Sequence, residues 1–517
     1  MAPLWHRASS IITSRLHRNI ILFLNSHLTP FLTPLARFST QDPQAMIEPH
    51  WNQKHLNPHF SYSRPLQKQL YGRHLLRAEL DVDDEVLEAH LDSGYVKMAP
   101  GIVRDSGRPI CLRCGNTQPH LFSSYHCYRC QKQCIYCRQC ITMGVVKACT
   151  PLYTWSGPPV DYGDQDFVER FLQWGGSLTK AQQRASDQLV NAVARRESFL
   201  IWAVCGAGKT EVLYQALEYG LQRYGRQAIV SPRVDVIMEL SPRFQSVFPD
   251  VDFISLYGGS QDEDRLTPLT LATVHQLLRF YQAFDVIYVD EVDAYPFHNN
   301  PFLRFALEKA RKPDAPIVYL SATPDRQLKD SFQKGRVAGT KIPLRYHGHP
   351  LPVPTFRWLG NWQRQLRERR LGRSLHRWLM KKVGCEHPIF MFVPTIAMAE
   401  ILAVRVRQVV DQPVACVHSE TPGRRAMLEQ FKAGDISILV TTTILERGVT
   451  VSRADVAVFG ADDTRFDEKA LVQMAGRAGR DHRYPDGEVV FFHYGITNHM
   501  VKAKNHIQMM NREGGQG

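Results

Sequence analysis

From about residue 166 onward, short apolar runs alternate with longer segments in which apolar residues recur at helical spacing. Runs at 199–204, 228–231, 253–256, 269–273, 286–290 and 317–321 read as buried strands. A second set follows at 389–393, 415–418, 438–441, 456–460 and 489–493. Strands separated by helix-length segments predict parallel sheets covered by helices. Residues 346–362, rich in Pro, Gly and aromatics, read as a linker between two α/β halves of similar size. The expected fold class is therefore α/β, with two tandem parallel-sheet lobes. The expected organisation is an unstructured extension at 1–60, a cysteine-bearing region at 61–160, a first lobe at 161–345 and a second at 346–510. An acidic stretch, Glu79 to Glu88, reads as a solvated helix face. Residues 364–382 carry eight Lys or Arg against one acid, Glu368, and read as the solvated face of the second lobe's first helix.

Length supports this division, since 517 residues correspond to about three domains. Apolar residues make up 44% and charged residues 22%, an ordinary globular mix. The net charge of +13, with an isoelectric point near 9.2, suits a polyanionic partner. No run approaches the roughly 20 apolar residues of a membrane-spanning helix. The first 41 residues contain Arg7, Arg15, Arg18 and Arg37 and no acid. That composition fits either an organellar transit peptide or a loosely attached extension.

The chemistry begins at Ala203-Val204-Cys205-Gly206-Ala207-Gly208-Lys209-Thr210. A strand, a small-residue loop ending in Gly-Lys-Thr and a helix form a phosphate-binding loop. Backbone N–H groups of Gly206, Ala207 and Gly208 would cradle phosphate oxygens of ATP at the helix N-terminus. Lys209 would reach the β and γ phosphates, and Thr210 would hold Mg2+. About 80 residues on, Asp290-Glu291-Val292-Asp293 ends a buried strand, where carboxylates face a ligand crevice. Asp290 would bind Mg2+ and Glu291 would orient and deprotonate the attacking water. Ser321-Ala322-Thr323 ends the next strand, and its hydroxyls would link hydrolysis to lobe movement.

Gln473-Met474-Ala475-Gly476-Arg477-Ala478-Gly479-Arg480 places two arginines three apart, expected on one helix face. Arg477 and Arg480 would reach the γ-phosphate across a cleft, with Gln473 beside the nucleotide. Arg447-Gly448-Val449-Thr450 suits phosphate contacts. Gln182 follows a helix start at Thr179, and its amide matches the donor and acceptor of an adenine edge; capping that helix is the other reading.

Seven of the eleven cysteines lie between Cys111 and Cys140, as Cys111-x2-Cys114, Cys127-x2-Cys130 and Cys134-x2-Cys137-x2-Cys140. Clustering of this kind in a large nucleotide-binding chain points to Zn2+ rather than disulfides. Seven thiols exceed one four-ligand site and fall one short of two; His120, His126 or Cys149 would complete a second. Spacing leaves open which four bind.

In this order the motifs resemble those of the superfamily 2, DEAD-like helicases, over about residues 175–485. The resemblance implies two RecA-like lobes with ATP between them and a nucleic-acid strand across both. It also implies contacts to that strand from Pro232, Arg233, Thr273, His275, Thr395 and Thr442. A narrower resemblance runs from about 70 to 510. Cys-Leu-Arg-Cys-Gly-Asn at 111–116 and Tyr-Cys-Arg-Gln-Cys-Ile-Thr-Met-Gly at 136–144 are similar to the zinc module of the ComFA family, the motors of bacterial DNA uptake in natural competence. Ser-Pro-Arg-Val-Asp-Val, Asp-Glu-Val-Asp-Ala-Tyr-Pro and Thr-Thr-Thr-Ile-Leu-Glu-Arg-Gly-Val-Thr are similar as well.

That resemblance favours Cys111, Cys114, Cys137 and Cys140 as ligands, with Cys127, Cys130 and Cys134 as alternates or a second site. It turns the reading of the N-terminus from a transit peptide toward a loose extension. It implies an ATP-dependent single-stranded DNA translocase or helicase, cytoplasmic or peripheral at the inner face of the membrane. Its implied partners are single-stranded DNA, the competence membrane channel and a phosphoribosyltransferase-like protein, and homo-oligomers are open to it. Two other functions fit parts of the pattern: a primosomal-type restart or repair helicase, and a nonhydrolysing zinc-dependent DNA-binding adaptor. Intact Lys209, Glu291, Arg477 and Arg480 argue against the adaptor.

Overall fold

The computed structural model describes residues 54–160, 171–260, 265–297, 300–384, 387–447 and 451–515. Most of the N-terminal extension lies outside these residues.

Residues 54–160 open on helix Arg64–Leu70, which Ser63 caps by accepting from the Leu66 N–H. A three-stranded antiparallel sheet follows, in the order Leu75–Leu76, Pro151–Trp155, Val96–Pro100. The cysteine segment is thus an excursion between strands that pair with one another. It consists of two hairpins, Ile102–Asp105 with Arg108–Cys111 and Phe122–Cys127 with Lys132–Cys137. Cys111, Cys114, Cys137 and Cys140 are fully buried and share a core with Ala228, Val230 and Ile254 of the next lobe. Glu79 is not solvated as expected: it pairs with the buried Arg113 at 2.7 Å and with Arg279 at 3.3 Å.

The first lobe is a seven-stranded parallel sheet. Its spatial order is Phe253–Leu256, Leu269–Thr273, Gln227–Ser231, Val286–Val289, Ile317–Ser321, Phe199–Ala203, Ala338–Ile342. Every residue of 199–203, 227–231 and 286–289 is buried, which is why these strands carry apolar runs, bounded in the second by Gln227 and Ser231. The second lobe is a six-stranded parallel sheet in the order Thr355–Trp358, Val489–His493, Asp455–Phe459, Ile389–Phe392, Ile438–Thr441, Val414–Val417.

Two outer strands depart from the sequence reading. Ala338–Ile342 adds a seventh strand to the first lobe, and Thr355–Trp358 lies inside the expected linker. Each sits at a sheet edge with most of its residues only partly covered, so neither carries an apolar run. The basic segment forms helices Trp362–Arg367 and Arg373–Lys382, which bury Trp362, Leu366, Leu375, Trp378 and Leu379 and leave most of its arginines outside.

Candidate functional site

Strand Phe199–Ala203 runs into a tight loop ahead of helix Lys209–Arg223. Gly206 and Gly208 take φ of 79° and 71°, a region open to glycine at no steric cost. Gly208 caps the helix, and a Cβ on it would strike the Gln182 amide. The helix therefore begins at the loop with unpaired N–H groups, and Lys209 and Thr210 are its first residues. Gln182 lies against the loop: its Nε2 donates to the Ala207 carbonyl at 2.9 Å, and its Oε1 accepts from the Thr179 N–H at 2.8 Å. Both ends of the amide are thus engaged, and the helix-capping reading describes this state.

The neighbouring carboxylates leave strand Val286–Val289. Asp290 accepts from the Glu291 N–H at 2.8 Å, and Glu291 is held at φ 54°, a strained position for a residue with a side chain. Burial pushes the Asp290 carboxyl up to about 6, with Lys209 opposing and Glu291 adding to the rise.

The second lobe supplies the facing wall. Helix Glu468–Ala475 carries Gln473, whose Oε1 accepts from the Cys205 thiol at 3.0 Å. Arg477 and Arg480 do not share a helix face as expected, because the helix ends at Ala475. Tighter turns follow, with Arg477 N–H to Met474 O at 3.0 Å and Ala478 N–H to Ala475 O at 3.2 Å. Arg345 holds that turn: its buried guanidinium donates to the carbonyls of Ala478, Gly479 and Pro485. The Arg477 guanidinium donates to the Glu446 carbonyl at 2.9 and 2.7 Å; burial and Arg480 lower its pKa to about 9. An open cavity of about 410 Å³ is lined by the loop, Asp290, Glu291, Gln473, Arg477 and Arg480. Its size falls within the range of small-molecule sites. Arg345, Tyr346 and His347 line it too. Sequence reading missed them because they fall where the chain leaves the first lobe, a stretch without a motif.

A node of side chains joins the lobes at Asp293 and Arg447. Asp293 accepts from Ser321 Oγ at 2.5 Å, Thr323 Oγ1 at 2.6 Å and Arg447 Nη2 at 2.6 Å. Arg447 also lies 3.5 Å from Glu291 and 3.5 Å from Glu446. Burial would raise the Asp293 pKa, but Arg447 and the two hydroxyls outweigh it and hold the carboxyl well below the usual range. Arg447 thus faces carboxylates of both lobes here, whereas its motif suits phosphate contacts. Gly448, Val449 and Thr450 lie outside the described residues. Further contacts cross the cleft from Arg233 Nη2 to the Ile444 carbonyl at 2.7 Å and from Arg424 to Asp235 at 3.1 Å.

Residues expected at a nucleic-acid strand sit at or just past the carboxyl ends of parallel strands. Pro232 and Arg233 follow 227–231, Thr273 ends 269–273, Thr395 follows 389–392 and Thr442 follows 438–441. His275 is exposed, Pro232 and Thr273 are buried, and Arg233 is already committed to Ile444. Thr395 caps helix Ile396–Arg407 by accepting from the Met398 N–H.

The cysteines fall into two separate groups. Cys111, Cys114, Cys137 and Cys140 form one; Cys127, Cys130, Cys134 and Cys149 form the other, with the sulfurs of each within 4.8 Å of one another. The pairing of Cys111/Cys114 with Cys127/Cys130 does not occur. In the first group, Cys111 lies 3.8 Å from Cys140 and Cys114 lies 3.6 Å from Cys137. Four sulfurs around a tetrahedral ion at about 2.3 Å stand about 3.8 Å apart, so the spacing fits. Asn116 donates to Cys137 Sγ at 3.6 Å. Lys309, buried in the first lobe, donates to the carbonyls of Arg113 and Leu278 at 2.7 Å each, behind this cluster.

Two parallel-sheet lobes with this loop, carboxylate pair and facing arginines define an ATP-hydrolysing helicase-type enzyme of superfamily 2. Residues 176–326 match the family described as type III restriction enzyme, res subunit, and 373–482 match the helicase conserved C-terminal domain. Such domains imply ATP, Mg2+ and binding of nucleic acid. The chain belongs to the ComFA family. Residues 54–154 match the competence protein ComFA N-terminal domain. Competence protein ComFA of Bacillus subtilis (strain 168) is 43% identical over 451 residues, covering 87% of this chain and 96% of the relative. That of Streptococcus pneumoniae (strain ATCC BAA-255 / R6) is 36% identical over 418 residues, covering 80% and 93%. Among solved structures, S. cerevisiae Dbp5 bound to RNA and ADP BeF3 is 16% identical with a TM-score of 0.47, over 65% of this chain and 88% of its own.

Proposed function

We propose that the chain is an ATP-driven single-stranded DNA translocase that pulls transforming DNA into the cell. The observation that carries this reading is the interlobe node, where Arg447 of one lobe holds Asp293 and approaches Glu291 of the other. Through it, a change at the hydrolytic carboxylates alters the grip between lobes. In this reading Lys209 and the loop N–H groups bind the β and γ phosphates, and Thr210 and Asp290 hold Mg2+. When bound, Mg2+ supplies neutralisation of phosphate charge. Glu291 takes the proton of the attacking water, while Arg477 and Arg480 stabilise charge developing on the γ-phosphate. Release of that charge frees both arginines and lets the second lobe step along the strand, which His275, Thr395 and Thr442 contact through its phosphates, with Arg233 joining them once it leaves the Ile444 carbonyl. Backbone contacts carry no base information, so movement is independent of sequence. Cys111, Cys114, Cys137 and Cys140 hold one Zn2+ as a structural tetrathiolate.

The motor works at the inner face of the membrane, on strand delivered by a competence channel and with a phosphoribosyltransferase-like partner. Among the described residues no helix is long and apolar enough to cross the bilayer. Single-stranded DNA should stimulate ATP hydrolysis, and Lys209→Ala or Glu291→Gln should abolish it; full activity in either sinks the motor. Deleting the gene should stop uptake of transforming DNA and leave growth normal. Normal uptake with sensitivity to DNA damage would favour a primosomal-type repair helicase.

A further inference from the structure

Strand Lys132–Cys137 carries Cys134 and Cys137 three residues apart in regular antiparallel register, opposite Tyr125 and Phe122. Side chains three apart on a strand leave by opposite faces. The two thiols therefore cannot serve one ion. Cys137 turns into the buried cluster against the first lobe, and Cys134 turns outward to Cys127, Cys130 and Cys149.

We propose that Cys127, Cys130, Cys134 and Cys149 bind a second Zn2+, which fastens the tip of the hairpin to the turn that leads back into strand Pro151–Trp155. Four observations support this site. Cys127 Sγ stands 3.8 Å from Cys149 Sγ, the separation a tetrahedral zinc tetrathiolate needs and far from the roughly 2.05 Å of a disulfide. Cys127–Cys130 repeats the knuckle of the first cluster: Gln131 N–H donates to Cys127 O at 2.8 Å with Gln131 at φ 53°, as Gly115 N–H donates to Cys111 O at 2.8 Å with Gly115 at φ 69°. A left-handed glutamine is costly, and a metal that needs two thiolates on one turn supplies the compensation. Cys149 is brought in by backbone pairing, since Ala148 N–H donates to Ile135 O at 2.8 Å.

Finally, the surroundings suit a cluster of net charge −2. Tyr125 Oη donates to Cys127 Sγ at 3.5 Å, and the Lys147 ammonium stands 5.5 Å over the Tyr125 ring. Donors of this kind orient and neutralise zinc thiolates. The site lies away from the first lobe: Tyr128 at the tip is 90% exposed, and Cys130 and Cys149 are half-buried. The outer ion is therefore a staple for the hairpin and not part of the lobe core.

The test is metal content of the full chain purified without chelator, read by mass spectrometry. Two zinc ions per chain are expected, falling to one in Cys149→Ser. A wild-type value of one that survives Cys149→Ser, or a Cys149→Ser protein that keeps two, overturns the outer site. Cobalt reconstitution of wild type avoids any folding defect of the variant. The absorption of tetrahedral cobalt tetrathiolate should rise to two equivalents, and saturation at one equivalent that Cys149→Ser leaves unchanged overturns the proposal. This outcome is separable from the inner cluster's assignment: one ion lost in Cys149→Ser but kept in Cys114→Ser would discard the inner site and retain the outer.

Discussion

Asp290 and Asp293, three residues apart, occupy opposite electrostatic situations. Asp293 meets a cation and two hydroxyls, whereas at Asp290 desolvation and the Glu291 carboxylate outweigh Lys209, the Glu291 N–H and Arg447. A folded-state pKa raised from 3.8 to about 6 means that the native chain binds more protons than the unfolded one across that window. Stability contributed by this group then falls as pH rises through it. Asp290→Asn should therefore raise the melting temperature at pH 7.5, leave it nearly unchanged at pH 4, and abolish Mg2+-dependent ATP hydrolysis. An equal shift at both pH values would discard the argument. In the proposed mechanism Asp290 holds Mg2+, so protons would compete with the ion there. Affinity for Mg2+-nucleotide should decline below about pH 6 in wild type, as followed by a fluorescent nucleotide analogue.

Arg447 is the residue-scale counterpart in the second lobe. Removing one partner of a buried pair costs about 3–5 kcal/mol when the other charge stays buried. Here the lobes can part and give Asp293 to water, so the loss should appear in closure rather than in folding. Arg447→Ala should cut DNA-stimulated hydrolysis at least about 100-fold, while the melting temperature and nucleotide binding to the first lobe change little. Wild-type turnover in this variant would remove the node from the mechanism. The loop and carboxylates were legible in sequence because each is local, a few residues at a strand end. The 447–293 pair was not, because it joins residues 154 positions apart.

Elements were legible in proportion to how fully they are covered. The interior strands carry continuous apolar runs, whereas Ala338–Ile342 and Thr355–Trp358 each meet a neighbour on one side only and carry none. The partition of the cysteines was also latent in the sequence: once 132–137 is read as a strand, the odd spacing of Cys134 and Cys137 separates two sites. What no spacing revealed is that a buried lysine of the first lobe reaches the backbone of the inner cluster's knuckle. Lys309 sits on helix Pro301–Ala310 and closes two carbonyls, one of them in the Cys111–Cys114 knuckle. Lys309→Met should lower stability by about 1–3 kcal/mol, the cost of leaving buried acceptors unpaired. The check is a melting curve, together with faster loss of zinc to a chelator. Unchanged values for both would make the knuckle independent of the lobe.

At the scale of the whole molecule, the last helix ties the second lobe to the first through contacts outside the nucleotide cavity. Asn498–Gly514 follows the final strand of the second lobe, yet three of its residues reach back. The His506 ring bonds the Ala322 carbonyl at 3.2 Å beside the Ser-Ala-Thr turn, and Glu513 pairs with Lys341 at 2.7 Å. Asn511 exchanges two hydrogen bonds with the Leu351 backbone, at 2.9 and 2.8 Å. A half-exposed ion pair contributes up to about 1 kcal/mol and a buried hydrogen bond about the same. Losing both in Lys341→Ala/His506→Ala would shift the closure equilibrium by up to about 30-fold at 1.4 kcal/mol per tenfold. Neither residue lines the nucleotide cavity. The rate at saturating ATP and DNA should therefore stay near wild type, while KM for ATP rises several-fold because ligand binding must now supply the closure. Small-angle scattering of the nucleotide-free variant should give a larger radius of gyration. An unchanged radius and KM would mean that the helix only covers the second lobe, and that closure rests on the Arg447 node and the cavity arginines alone.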